Sequence, residues 1–251
     1  MMSIKKNLLN LIFKKNKMKI KFIILYVNLL FMSLWCDAQN NRDIINHYKL
    51  YYSQMQKQGD VQGIINAMTH LLVLEPNVAR QDTLAALYVK EGKYVQALNL
   101  LGIEKDSTDT TMSIEVKAAS LKSLNQPARA LEQYELLFKR SPSPSLAYDL
   151  ADLKIQLNDI IGANLNITYG IANASSDMMK AYYETQTPYQ VPLSAGFLYL
   201  KAIAKFRENP ETSHEAVIAI LEQTLSVAPN FNLATIAKNA IVSQKEGLNK
   251  N

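Results

Sequence analysis

Side chains able to do chemistry are few in this sequence, and they do not gather. The three histidines, His47, His70 and His214, stand far apart, so no two of them share the short spacing of a metal site. Cys36 is the single cysteine, so no intramolecular disulfide, Cys-x-x-Cys redox pair or thiolate zinc site is available. There is no glycine-rich phosphate loop, no Gly-x-Ser-x-Gly elbow and no pair of carboxylates flanking a predicted cleft. Asn166, Ile167 and Thr168 spell a glycosylation sequon, but inside a helix-period segment, where the match reads as coincidence. No catalytic residue, metal, cofactor or small-molecule substrate is therefore expected, and the informative residues are those that shape a surface.

Charge narrows the kind of partner. With 27 basic and 22 acidic residues the formal charge is +5, which over a whole chain would suit nucleic acid or a membrane surface. Seven lysines (Lys5, Lys6, Lys14, Lys15, Lys17, Lys19 and Lys21) and only Asp37 precede residue 39, leaving 20 basic and 21 acidic residues beyond it. The basic character belongs to the leader, and no nucleic-acid partner is expected.

Residues 1–38 have the layout of an export leader. From Met18, MKIK is a positive start, FIILYVNLLFMSLW an apolar run, and CDAQNN places small residues before a cut after Ala38. An apolar run of about 14 residues covers about 21 Å as a helix, short of a hydrocarbon core of about 30 Å, so cleavage is expected rather than anchoring. The alternative is a bacterial lipoprotein acylated on Cys36. Ser33-Leu34-Trp35-Cys36 resembles that signal poorly, because a tryptophan stands where a small residue is wanted.

The elements that must build the surface repeat. GDVQGIINAMTHLLVLEPN, GKYVQALNLLGIEKDSTD, NQPARALEQYELLFKRSPS and NDIIGANLNITYGIANASS align with Ile64, Ala97, Ala130 and Ala163 in one column, at a constant step of 33. A second helix-period segment precedes each: NHYKLYYSQMQKQ, RQDTLAALYVKE, MSIEVKAASLKSL and SLAYDLADLKIQL. Each unit reads as helix A, a turn, helix B and a second turn. A fifth copy pairs AGFLYLKAIAKFREN with EAVIAILEQTLSVAPN across a lengthened loop, PETSH.

This pattern resembles the tetratricopeptide repeat family, here as an exported bacterial member. The matching residues are the turn formers Gly59, Gly92, Asn125, Asn158 and Asn209 and the small crossing residues Ala97, Ala130 and Ala163. They continue with bulky Met68, Leu101, Tyr134, Ile167 and Leu221 a turn later, and with closing Pro76, Pro142 and Pro229. Ile64 and Val217 depart at the crossing, Tyr52 stands at a usually small position, and the second and fourth units lack the proline. The resemblance implies an all-α, right-handed α-α superhelix of about five helix-turn-helix repeats with a C-terminal capping helix. Residues 39–172 form repeats 1–4, 173–194 an insertion, 195–230 repeat 5, and 231–251 the cap and tail. The first B helix is apolar nearly all round, as expected of a helix packed between its own A helix and the next repeat.

In the insertion, NASSDMMKAYYETQTPYQVPLS, a helical start near Asp177 to Glu184 and an extended Thr-Pro-Tyr-Gln-Val-Pro loop are expected. In the cap, Phe231, Leu233, Ile236, Ala237, Ala240 and Ile241 are expected to turn inward. By the family's register the A helices line a binding groove with Lys49, Ser53 and Gln56, then Asp82, Ala86 and Val89, then Glu115, Ala119 and Lys122, then Tyr148, Asp152 and Ile155. The clamp that some arrays build for a C-terminal carboxylate is not expected, because only Lys49 matches while Ser53, Thr83, Met112 and Val116 depart. The expected function is a non-catalytic scaffold that binds a protein or peptide in the periplasm or cell envelope. The alternatives are an outer-membrane assembly lipoprotein held through Cys36, and an enzyme with a site in the 173–194 insertion.

Overall fold

The computed structural model describes residues 41–248, so the leader, Cys36 and the last three residues lie outside the described part. The chain divides into two compact units, residues 1–84 and 85–251.

In the first unit, α1 (residues 41–58) is joined to α2 (Val61–Leu74) through Gly59, whose φ of +68° is the left-handed turn that glycine adopts without penalty. The Asp60 carboxylate caps α2 by accepting from the Gly63 N–H at 2.9 Å. A Cβ added to Gly63 would overlap the sulfur of Met55, so the closest approach of α1 and α2 falls at Gly63. Ile64, expected at the crossing, is only half-buried because the glycine one residue earlier already lets the helices close. Nor is α2 packed all round: Gly63, Ile65, Ala67, Met68 and Leu71 are buried, while Val73 is 78% exposed.

The end of α2 shows why Pro76 stops it. Glu75 sits at φ −144°, ψ 81°, outside the helical region that a following proline disfavours. Arg80, from the start of α3 (Val78–Lys90), donates to the Glu75 carbonyl at 2.6 Å, which the helix end leaves open, and at 3.1 Å to the Leu71 carbonyl, which also accepts from the Glu75 N–H. His70 stacks on Tyr48 at 4.4 Å, the packing role expected of a histidine without a ligand partner.

The second unit takes up α3 from Ala85 and continues through α4 (Tyr94–Leu101), α5 (Thr111–Ser123), α6 (Pro127–Arg140), α7 (Pro144–Gln156) and α8 (Ile160–Asn173). A β-hairpin follows, β1 (Met179–Tyr182) and β2 (Tyr189–Pro192), and then α9 (Leu193–Glu208), α10 (His214–Val227) and α11 (Asn232–Leu248). Gly92, Asn125 and Asn158 turn with φ of +69°, +54° and +63°, a conformation that among side-chain-bearing residues asparagine tolerates best. Asn209 departs, at φ −145°, because the longer loop into α10 reverses the chain without a left-handed residue. Ala97, Ala130 and Ala163 are fully buried where their helices cross, and Val217 serves at the fifth crossing with 1% exposure. Ser141 and Ala228 repeat the conformation of Glu75 ahead of Pro142 and Pro229.

Three expectations are corrected here. First, α4 has only eight residues, because Gly102 at φ +83° ends it, and residues 102–110 form a loop in place of the short second turn expected after helix B. That loop is tied down from beneath. Lys117, 2% exposed, donates to the Glu104 carbonyl at 3.0 Å and to the Asp109 carboxylate at 2.5 Å, and Arg140 donates to the carbonyls of Ser107 and Asp109. Second, the insertion is a hairpin with no helical start. Lys180 and Tyr182 face the helices while Met179 is half exposed, a two-residue alternation that a helix cannot satisfy. Third, Phe231 just ahead of α11, and Ala234 and Ile241 on it, turn inward, leaving Ile236 55% exposed and Ala240 exposed. Residues three and seven beyond Phe231's neighbour Ala234 set the buried stripe, and Ile236 lies off it. Lys238–Glu222 and Lys245–Glu215 pairs fasten α11 to α10.

Among the described residues no helix is long and apolar enough to cross a membrane.

Candidate functional site

The expected groove residues have unequal fates. In the first unit, Lys49 is exposed and 3.5 Å from Glu75, Ser53 is half-buried, Gln56 donates to the Tyr52 hydroxyl at 2.8 Å, and Asp82 is buried. In the second unit Ala86, Val89, Ala119, Lys122 and Asp152 are half-buried and Glu115 is exposed. Tyr148 and Ile155 are buried, at 5% and 4% exposure. Ile155 belongs to the apolar core with Ala163 and Ile167, so it supports the face from below.

Lys122, Tyr148 and Asp152 are brought together, with residues the groove register does not pick out. Lys122 stands in the last turn of α5, where the helix dipole favours a cation. Asp149 and Asp152 lie three residues apart on α7 and share a face. The Lys122 ammonium is 2.8 Å from Asp149 and 3.3 Å from Asp152. From the hairpin, Lys180 reaches the same Asp149 oxygen at 3.3 Å, and its ammonium lies 4.5 Å from the centre of the Tyr148 ring. Beneath it the hydroxyls of Tyr148 and Tyr182 share a hydrogen bond of 2.7 Å. Tyr182 packs in turn on Phe231 at 4.7 Å.

Two ammonium groups and two carboxylates thus balance on one face. Burial alone would lower the pKa of the Lys122 ammonium, but Asp149 and Asp152 outweigh it and hold the value well above the ordinary lysine range. Burial, reinforced by Asp149, pushes the Tyr134 phenol up to about 12. Burial, with Tyr182 beside it, raises Tyr148 further. At neutral pH the lysine is charged and these phenols are neutral. Fixed donors and acceptors, part open to solvent, are what such an arrangement offers; Asp152 keeps 31% of its side chain exposed.

Asp149, Lys180 and Tyr182 were not named from the sequence, and Tyr134 was named only as a bulky packing residue of its repeat. Asp149 carried a signal, being a carboxylate three residues before Asp152. Lys180 and Tyr182 carried none, because their strand was unread and lies about 30 residues from α7. Elsewhere in this unit α8, α9 and α10 line an open cleft of about 540 Å³, with Ile167, Ile220, Lys201 and Lys205 among its lining residues.

Comparison of the coordinates with solved structures supplies the deciding observation. A tetratricopeptide repeat protein from Parabacteroides merdae superposes with a TM-score of 0.58 over 78% of this chain and 72% of its own, at 15% identity. The chain has the tetratricopeptide-repeat fold. Repeat proteins from Thermus thermophilus (12% identity, 79% of this chain and 98% of that one, TM-score 0.44) and Bacteroides fragilis (11%, 80% and 98%, TM-score 0.41) are similar at lower scores. No protein-family model and no curated protein matches the sequence. In repeat terms the cluster sits on the A helices of repeats 3 and 4, with the inter-repeat hairpin laid against the second of them.

Proposed function

We propose that this chain is a non-catalytic scaffold that holds a protein or peptide partner along the A-helix face formed by α5 and α7. The observation that carries the proposal is the charge-balanced cluster of Lys122, Asp149, Asp152 and Lys180, fixed from three separate elements and still partly open to solvent. A face built this way presents both donors and acceptors at low cost in side-chain ordering, and it favours a polypeptide over a uniformly charged polymer. The fold supports the same reading, because stacked helix pairs create extended surfaces of this kind.

Cross-linking capture from the native envelope fraction tests it, comparing the wild type with Ala119→Arg and Asp152→Ala. Ala119 is half-buried beside the cluster, so an arginine there blocks the face without entering the core. A partner retained by the wild type and lost from both variants, with helical content unchanged, is the expected result. An unchanged partner profile would refute the assignment of this face.

We place the scaffold outside the cytoplasm on the strength of the leader motif. Intact-mass measurement of the native protein should find an N-terminus at Gln39. A diacyl or triacyl group on Cys36 would instead select the lipoprotein reading.

A further inference from the structure

The two edges of the hairpin differ in a way that bears on how a partner is held. Leu193 donates its N–H to the Met178 carbonyl at 2.8 Å, and the register runs Met179↔Pro192, Lys180↔Val191, Ala181↔Gln190, Tyr182↔Tyr189. In an antiparallel ladder hydrogen-bonded and non-hydrogen-bonded pairs alternate. Lys180/Val191 and Tyr182/Tyr189 are therefore the bonded pairs, and Met179, Ala181, Gln190 and Pro192 turn their main-chain groups away from the partner strand.

On β2 that outward edge is obstructed at two of its main-chain positions, with the Gln190 N–H left over. Pro192 has no N–H to give, and the Gln190 carbonyl already accepts from the Asn230 side chain at 3.1 Å. On β1 the outward N–H and C=O groups of Met179 and Ala181 have no hydrogen-bond partner among the described residues. Lysine on an edge strand often serves as a guard against pairing. Lys180 does not stand guard here, since its ammonium is drawn down onto Tyr148 and Asp149.

We infer that β1 is a docking edge, at which an extended segment of the protein partner adds to the hairpin as a third strand. This rests on the proposed function and names its binding mode. Main-chain bonds to Met179 and Ala181 supply the register. Alternate side chains of the incoming strand lie on the face that Lys180 and Tyr182 share, toward Asp149, Asp152 and Lys122. Their charges cancel there, so the fitting segment is polar without a net charge on that face. The other side chains stand with Met179, 49% exposed, and beside Tyr183, 75% exposed, and are apolar.

A random decapeptide library displayed on phage, selected on the full chain, tests this. Selected peptides should lose on the order of tenfold in affinity or more for Ala181→Pro, which removes an outward N–H and leaves the bonded pairs of the hairpin in place. N-methylation of alternate amides in a selected peptide gives an independent reading on the unaltered protein. Methyl groups on one alternate set should abolish binding, and on the other set leave it intact. Peptides that bind Ala181→Pro equally but fail on Ala119→Arg would overturn strand addition and keep the face as the site. Absence of any enriched peptide would overturn both readings. Self-association of the wild type that Ala181→Pro abolishes would give the edge to a second copy of this chain and overturn the peptide.

Discussion

Gly170→Ala is the sharpest test of how the fourth and fifth repeats are joined. Replacing a helical glycine by alanine ordinarily stabilises by about 1 kcal/mol, through lost unfolded-state freedom and better helix propensity. At Gly170, buried in the last turn of α8, the added Cβ would fall within the ring of Phe197, overlapping Cζ, Cε1 and Cε2. Relief requires the ring or α8 to shift by about 1 Å or more. Phe197 is fully buried and packs edge-on against Tyr148 at 5.6 Å, so the ring has nowhere to go. Overpacking of this kind costs about 1–3 kcal/mol, and the upper end applies where the neighbour cannot yield. Set against the propensity gain, a net loss of about 2 kcal/mol is expected. Urea unfolding followed by far-UV circular dichroism would show it as a midpoint lowered by about 1 M, for a slope near 2 kcal/mol per molar. Adding Phe197→Leu should return at least about 1 kcal/mol of that loss, a coupling that only a direct contact produces. A Gly170→Ala protein as stable as the wild type would refute the reasoning.

Other perturbations follow from the same structure. Lys117→Met strands the Asp109 carboxylate and frees the 102–110 loop; a loss of about 3 kcal/mol is expected, and hydrogen exchange should localise it to that loop. Asn125→Ala and Asn158→Ala should each cost about 1–2 kcal/mol at positive φ while the glycine variants stay near neutral; equal stability of alanine and glycine variants would count against the turn assignment. Burial first of all raises the phenols of Tyr134 and Tyr189 to about 12, and those of Tyr148, Tyr182 and Tyr199 as well. A raised folded value means stability fully present below about pH 10 and lost as the pH climbs toward 12, so these five tyrosines should ionise late and together with unfolding. All 13 tyrosines ionising near pH 10 in an intact fold would contradict it.

The repeat was legible because its signals are local. A glycine or asparagine at a left-handed turn and an alanine at a crossing each act within a few residues, and their step of 33 needs no tertiary knowledge. Ile64 misled because Gly63 took over the contact, a choice that only the position of Met55 reveals. The shortened α4 did carry a sign in Gly102, but the following loop is held by the buried Lys117 on the next helix and by Arg140, more than 30 residues from its loop partners. The hairpin was opaque, since four-residue strands give almost no periodicity and their stability comes from packing on α9 and Phe231. The site divides along the same line. Lys122, Tyr148 and Asp152 follow from helical register, whereas Lys180 joins them only once the insertion has folded back on α7.

Phe231 meets Tyr182, Tyr189 and Tyr199 at 4.7, 6.4 and 5.2 Å, drawing the start of the cap, both strands and α9 into one aromatic knot. Repeat arrays commonly lengthen and shorten by whole units, because each unit needs only its neighbours. The knot removes that freedom from the last third of this chain. Duplicating or deleting the fifth repeat would part Phe231 from the hairpin and unseat Lys180 from the face it completes. A change of repeat number is accordingly expected to leave the face intact only where it falls in the repeats that precede α7.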